Sequence, residues 1–335
     1  LHACTSISSV QGPETIIQPE KMGYTLLKYE EPGMGTLFQI QVWSQAPEHD
    51  AQVMKQALAA MADIEKTMSE WLPDSEISQL NHQAGKNALA ISHELYHVLK
   101  TGKQISKRSR GAFAMTWAAL RGVWDFSTAL IPDPKLIRSR LPFIGDQKIE
   151  LRQWAFTPGS PRARLKQKGM LLGLGGIAKG YALDQAMLIL REGGIKNALV
   201  FAGGDIRTTT EADFKPWRIA IEHPRQTSPL GVLEINQGAV ATSGDYEKYF
   251  IKNGQRYHHL IDPRTGFPAN HNSSVTVLTN AGIKADAWAT ALFIMTPDEA
   301  MHIIENDPNM EAIIVSANGE LFISNGIEEK FHLQQ

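Results

Sequence analysis

The stretch GLGGIAKGYALD, residues 173–184, admits two incompatible readings, and the choice between them decides the fold. Its first six letters satisfy G-x-G-x-x-A, the glycine pattern of a turn that wraps a dinucleotide in a doubly wound parallel sheet. That pattern needs an acidic residue closing the next strand, about 20 residues past the first glycine. Here the helix runs on through REGG, the next strand is NALVF, and the first acid beyond it is Asp205. Glu192 has the spacing but ends the helix. A Walker loop fails as well, because Lys179 is followed by Gly180 and not by Ser or Thr. The local physics survives both failures. MLLGLGG reads as a strand entering a glycine turn and AKGYALDQAMLILREGG as a helix, with Lys179 at its N-terminus. Free N–H groups and the helix dipole draw anions there. Lysine gains nothing from that dipole, so its position points to an anionic ligand, the alternative being a packing turn with a surface lysine.

The rest of the chain decides against a parallel sheet. Asn253-Gly254 in KYFIKNGQRYHHLI and Asn318-Gly319 in AIIVSANGELFIS are hairpin turns between strand-like runs, because both residue types tolerate positive φ. LFQIQVWS (37–44) alternates like a half-buried strand, and RIAIEHP, VLEINQGAV and SVTVLT read as further strands. Helical spacing of Val53, Met54, Leu58, Met61, Ile64 and Met68 predicts a helix from Pro47 to Met68, its methionines a core stripe. Further helices are expected over 92–109, from Asp133-Pro134, over 179–192, over 285–295 and over 297–305. The last opens on a capping box, Thr296 with Glu299. TPGSPRARLKQKG (157–169) reads as a loop or hairpin arm. The expectation is α+β: one large domain over 21–335 with a mainly antiparallel sheet and packed helices.

A net charge of −2 and a pI near 6.6 give no basic field for nucleic acid. The one cysteine excludes an intramolecular disulfide. It is Cys4, in LHAC, which looks like the end of a bacterial lipoprotein signal; the polar TSISSVQGPETIIQPE after it suits a tether over 1–20. Cys4 is therefore the expected lipidation site, with the domain held at the membrane of the bacterial periplasm.

Three C-terminal stretches carry chemistry. ADAWATAL (285–292) sets Asp286 and Thr290 four apart on one helical face, oxygen donors suited to a hard cation such as Mg2+, or equally to capping. HLIDPRTG (259–266) is a strand end running into a proline–glycine turn, with His259 a possible base near neutral pH. ATSGDYEKYF (241–250) places Thr242, Ser243 and Asp245 before the hairpin as caps or ligand contacts.

Together with GMGT (33–36), MSEWLPDSEISQLN (68–81), GAFAMT (111–116), GLGGIAKGYALD and AGGDI (202–206), these segments resemble the ApbE family of flavin transferases, in the family's order. The resemblance implies a Mg2+-dependent transfer of FMN from FAD to a Ser or Thr hydroxyl of an acceptor flavoprotein in a membrane or periplasmic redox system. AMP is released. It implies Mg2+ ligation by Asp286 and Thr290 with carbonyls of Gly176 and Ala289, and phosphate contact by Lys179. Met34, Trp71, Phe113, Ala114, Gly173 and Ile261 would line the FAD pocket, and His259 would take the acceptor's proton. Hydrolysis of FAD to FMN and AMP, and flavin binding without catalysis, are the alternatives. An NAD-dependent oxidoreductase is disfavoured. Three positions depart from the family pattern: Gly173 and Ala114 stand where aspartates are usual, and Phe201 where asparagine is common. The lost acceptors predict weakened FAD binding or a refitted pocket.

Overall fold

The computed structural model describes residues 23–153 and 159–334. Cys4 and the expected tether lie outside the described residues. Eight strands make the central sheet: β1 (Thr25–Gly33), β2 (Thr36–Ser44), β3 (Ala198–Ala202), β4 (Asp205–Thr209), β5 (Gly238–Gly244), β6 (Asn272–Thr279), β7 (Met310–Ser316) and β8 (Leu321–Ile323). They lie side by side in chain order, every neighbouring pair antiparallel. The helices are excursions from this meander. Between β2 and β3 the chain forms α1 (Pro47–Met68), α2 (Glu76–His82), α3 (His93–Arg108), α4 (Pro134–Arg140) and α5 (Ala178–Glu192). Between β6 and β7 it forms α6 (Gly282–Ile294) and α7 (Pro297–Glu305).

Both faces of the sheet are covered. Phe38, Ile40, Val42, Val200 and Val277 pack with the helices in one apolar cluster. On the other face Trp43, Leu199, Phe201 and Ile206 pack with Trp217, Ile219, Leu233 and Phe331, which come from a three-stranded sheet of Phe331–Leu333, Pro229–Ile235 and Trp217–Glu222. This corrects the half-buried reading of residues 37–44. The strand alternates, but its polar positions are buried too, Gln41 donating to Gln39 and Gln39 in turn to Glu30. VLEINQGAV is likewise two strands, in different sheets, split at Asn236-Gln237. Phe201, at the position where the family often has asparagine, belongs to this second cluster.

The helix expectations hold to within a few residues. α1 spans Pro47–Met68, Ser92 caps α3, Asp133 caps α4, and Thr296 with Glu299 forms the capping box of α7. α6 begins at Gly282, three residues earlier than expected, because the carboxylate of Asp184 on α5 accepts from its first N–H groups, Gly282 (2.7 Å) and Ile283 (3.0 Å). That cap comes from another helix and leaves no local signal.

Among the hairpins, Asn253-Gly254 is a two-residue turn with both φ positive, between Lys252 and Gln255. Asn318-Gly319 closes differently: Gly319 alone is left-handed, donates to the Ser316 carbonyl and ends a three-residue loop. The β1–β2 turn, Met34-Gly35, and the β3–β4 turn, Gly203-Gly204, are of the first kind. A Cβ on Gly203 would lie 2.9 Å from Thr36 Oγ1, so these two turns meet at one end of the sheet.

Candidate active site

MLLGLGG is not a strand. The segment before α5 is irregular, and its backbone bonds run to side chains and a loop. Asn81 bonds both groups of Leu172 (2.7 and 3.0 Å), and Gly173 donates to the Met115 carbonyl (2.9 Å). With its polar groups satisfied this way the segment needs no ladder. α5 then starts at Ala178, after a turn closed on the Leu174 carbonyl.

α5 and α6 cross at glycines. A Cβ on Gly180 would overlap the carbonyl of Gly282, and one on Gly282 would overlap that of Gly180. This close approach sets Asp286 beside the first turn of α5, where Oδ2 accepts from Gly180 N at 3.0 Å. Lys179 Nζ lies 3.5 Å from Asp286 Oδ1 and 3.0 Å from Asp205 Oδ2, at the start of β4. Thr290, one turn along α6 from Asp286, presents Oγ1 where a Cβ of Gly176 would be, 2.9 Å away, with Phe113 Cε2 3.7 Å from the same point. The structure thus brings together Lys179, Asp286, Thr290, Gly176 and Phe113. Ala289 brings a buried methyl and a mid-helix carbonyl.

The electrostatics are unbalanced. Burial opposes the charge on Lys179, but Asp205 and Asp286 outweigh it and hold the ammonium protonated far above its usual range. Burial, partly offset by Lys179, pushes Asp205 up to about 7 and raises Asp286 in the same way. One ammonium faces two buried carboxylates, and Glu247 adds its field to theirs. Asp205 lies in AGGDI and Glu247 in ATSGDYEKYF, but no local signal in either segment shows that its acid faces Lys179 across the fold.

His259 follows the strand Gln255–His258, with Nε2 3.9 Å from Glu247 Oε2. Burial, helped by the neighbouring His258 and Lys248, pulls its pKa down to about 4, so the imidazole is neutral. Ile261 is buried in a third cluster with Leu120, Trp124 and Phe250, and Trp124 bonds the Gly266 carbonyl at 2.8 Å. Asp245 is tied to Arg225 by two 2.6 Å bonds, which makes it a structural anchor. Met34 packs at the edge of the main core in its turn, at φ 48°. Trp71 stands out, 72% exposed, with the Arg121 guanidinium 4.6 Å from its ring centroid.

Ala114, where aspartate is usual, precedes the short 3₁₀ helix Met115–Leu120 and gives it no side-chain cap. A carboxylate comes from Asp146 instead. It accepts from Met115 N (2.9 Å), Thr116 N (3.0 Å) and Thr116 Oγ1 (2.7 Å), and it is buried.

The model of the ApbE family matches residues 34–314. Curated relatives named FAD:protein FMN transferase include one from Treponema pallidum, 30% identical over 313 residues, covering 89% of this chain and 86% of its own. Another, from Haemophilus influenzae, is 32% identical over 274 residues, 78% of either chain. Among solved structures, the ApbE protein of Thermotoga maritima superposes with a TM-score of 0.81 at 29% identity, over 91% of this chain and 99% of that one. The apo flavinyl transferase ApbE of Pseudomonas stutzeri gives 0.80 at 26%, over 93% and 98%. A match of this extent, with the α+β antiparallel fold expected of it, makes the chain a member of the ApbE family.

Proposed function

We infer that the protein transfers FMN from FAD to a Ser or Thr hydroxyl of an acceptor protein, forming a phosphoester and releasing AMP. The observation that carries this reading is the excess of buried negative charge around Lys179 at the start of α5. An ammonium among hard oxygens suits a pyrophosphate arriving with a divalent cation. The curated relatives' name, FAD:protein FMN transferase, agrees with it.

The residues present fit Mg2+. Asp286 and Thr290 lie one turn apart on α6, and a Cβ on Gly176 would lie 2.9 Å from Thr290 Oγ1. Their side-chain oxygens and the Gly176 carbonyl would hold the ion, and Mg2+ completes such sparse donor sets with water and phosphate oxygens. Among the described residues no cluster of three His, Cys, Asp or Glu side chains forms a full protein cage. When bound, the ion would neutralise charge developing on the pyrophosphate.

The protein's own groups do the rest. Lys179 holds a phosphate oxygen and fixes the phosphorus of the FMN half in line for attack. The acceptor oxygen bonds to that phosphorus, the bond to the AMP phosphate breaks, and AMP leaves with the electron pair. Neutral His259 takes the hydroxyl proton. Water in place of the hydroxyl gives FMN and AMP.

The test is incubation with FAD, Mg2+ and a candidate acceptor, followed by mass spectrometry. An FMN adduct on a Ser or Thr, lost with EDTA and in Asp286→Ala, is the expected result. AMP release with no adduct on any acceptor moves the protein to a hydrolase. Neither product, with FAD bound, leaves a flavin-binding protein. Lipidation at Cys4, and with it a periplasmic acceptor at the membrane, belongs to the same reading; Cys4→Ala should release the protein to the soluble fraction.

A further inference from the structure

Gly173 is a glycine for reasons of space. Its φ is not in the left-handed region, so the backbone does not demand it. A Cβ there would lie 3.0 Å from Glu70 Oε1, 3.1 Å from Trp117 Nε1 and 3.1 Å from the Ala118 methyl. The room that a side chain of residue 173 would enter is already occupied by the Ala118 methyl, the Trp117 indole and a carboxylate. Glu70 comes from the turn after α1, and its side chain is only 7% exposed. Its partners do not exhaust it. Oε1 faces Arg121 Nη2 at 3.2 Å, and Oε2 receives one long bond, 3.4 Å, from Leu174 N. A carboxylate has about four acceptor positions. The same Arg121 lies over exposed Trp71, the residue next to Glu70. An indole platform, a cation and a buried carboxylate with spare acceptor capacity therefore form one corner. Three residues along the same segment, a Cβ on Gly176 would lie 2.9 Å from Thr290 Oγ1, beside the Lys179–Asp286 cluster. Three residues span at most about 10 Å, a reach that fits the step from a pyrophosphate to a ring at one end of a dinucleotide.

We propose that Glu70 is the specificity-determining acceptor of the nucleotide site, receiving an in-plane N–H from one ring of the bound dinucleotide beside Trp71 and supplying the carboxylate that residue 173 does not. The inference rests on the flavin-transferase reading for the identity of the ligand. The donor is either the exocyclic amine of adenine or N3–H of the isoalloxazine, and both present an N–H in the plane of a stackable ring. A site built around such a bond rejects an analogue that lacks the donor. A Gln in place of Glu70 can offer an amide N–H to an acceptor, which a merely structural carboxylate would have no reason to reveal.

The test is equilibrium binding to the full chain with Mg2+, using ADP against IDP and FMN against 3-methyl-FMN. Wild type should prefer one donor-bearing member by about tenfold. Glu70→Gln should flatten or invert that preference, and the pair affected identifies the ring. Gly173→Asp alone should weaken binding, because the new side chain meets the Glu70 carboxylate. The double variant Glu70→Thr with Gly173→Asp, a carboxylate returned from the other side, should restore the preference. If Glu70→Gln melts well below wild type, the double variant decides. Wild-type ratios in Glu70→Gln, or no recovery in a stable double variant, overturn the inference while FAD binding stands. Failure of wild type to bind FAD, ADP or FMN overturns the transferase reading and this one with it.

Discussion

His259 and Asp146 show burial put to opposite uses. The imidazole is kept neutral, its pKa pulled from 6.5 to about 4 by burial and the nearby cations. A base with that pKa is already deprotonated across the neutral range, so protonation of His259 should not limit transfer until the pH falls toward about 5. His259→Ala should lower kcat by about 10²–10⁴-fold with FAD affinity little changed, since general base catalysis contributes on that scale; an unchanged kcat would remove it from the chemistry. The same shift affects stability. Between 6.5 and about 4 the unfolded chain binds the proton more readily, so stability contributed by His259 is full above 6.5 and declines as pH falls through that window. His259→Gln should flatten this slope in denaturant titrations. Asp146 is a buried carboxylate held by three donors around the 3₁₀ helix. Asp146→Ala leaves two backbone N–H groups without an acceptor, a loss of about 2 kcal/mol by urea unfolding. A wild-type midpoint would mean that water replaces the carboxylate at no cost.

At the scale of elements, the site is made by the α5–α6 crossing. Ile177 gives α5 no side-chain cap, and Asp286 Oδ2 on α6 serves Gly180 N instead, while Asp184 on α5 caps α6 in return. Each helix therefore ends the other, and the mutual glycine contact lets the backbones approach closely enough for it. Gly180→Ala inserts a methyl against the Gly282 carbonyl and should cost about 3 kcal/mol or more. It should also separate Lys179 from Asp286, so FAD binding should weaken in any variant that still folds. Retention of both stability and binding would show that the crossing is not what sets the site. This is also where the sequence was least transparent. The G-x-G-x-x-A pattern falls on Gly173, Gly175 and Ala178. The glycine that matters to the helix contact is Gly180, whose reason lies 102 residues away at Gly282. Local signals, such as the Asn253-Gly254 turn, Ser92, Asp133 and the Thr296–Glu299 box, were legible because their partners are within a few residues. Glu70, Asp146, Asp184 and Asp205 act through partners tens of residues distant or more, and nothing in their immediate sequence announces it.

At the scale of the molecule, a sheet in strict chain order keeps the fold readable while the excursions from it build the site. Asp205 after the β3–β4 turn, the start of α5, one face of α6 and the segment after Gln255–His258 each come from a different part of the meander. Distances between them along the chain are long, which is why motif order carried the family resemblance better than any single motif did. Such a site also carries a thermodynamic signature. Buried Asp205 and Asp286 face one ammonium, so the unliganded protein holds repulsion that a divalent cation and a pyrophosphate would relieve together. A ligand that binds only the folded state adds about 2.7 kcal/mol at a hundred times its dissociation constant. Melting curves should therefore rise by a few degrees with Mg2+ and FAD together, and by less with either alone. Asp286→Asn removes one of the two repelling carboxylates along with a cation donor. It should raise the melting temperature of the unliganded protein and abolish the joint Mg2+–FAD increment. A joint increment that survives in Asp286→Asn would place the cation elsewhere than on α6.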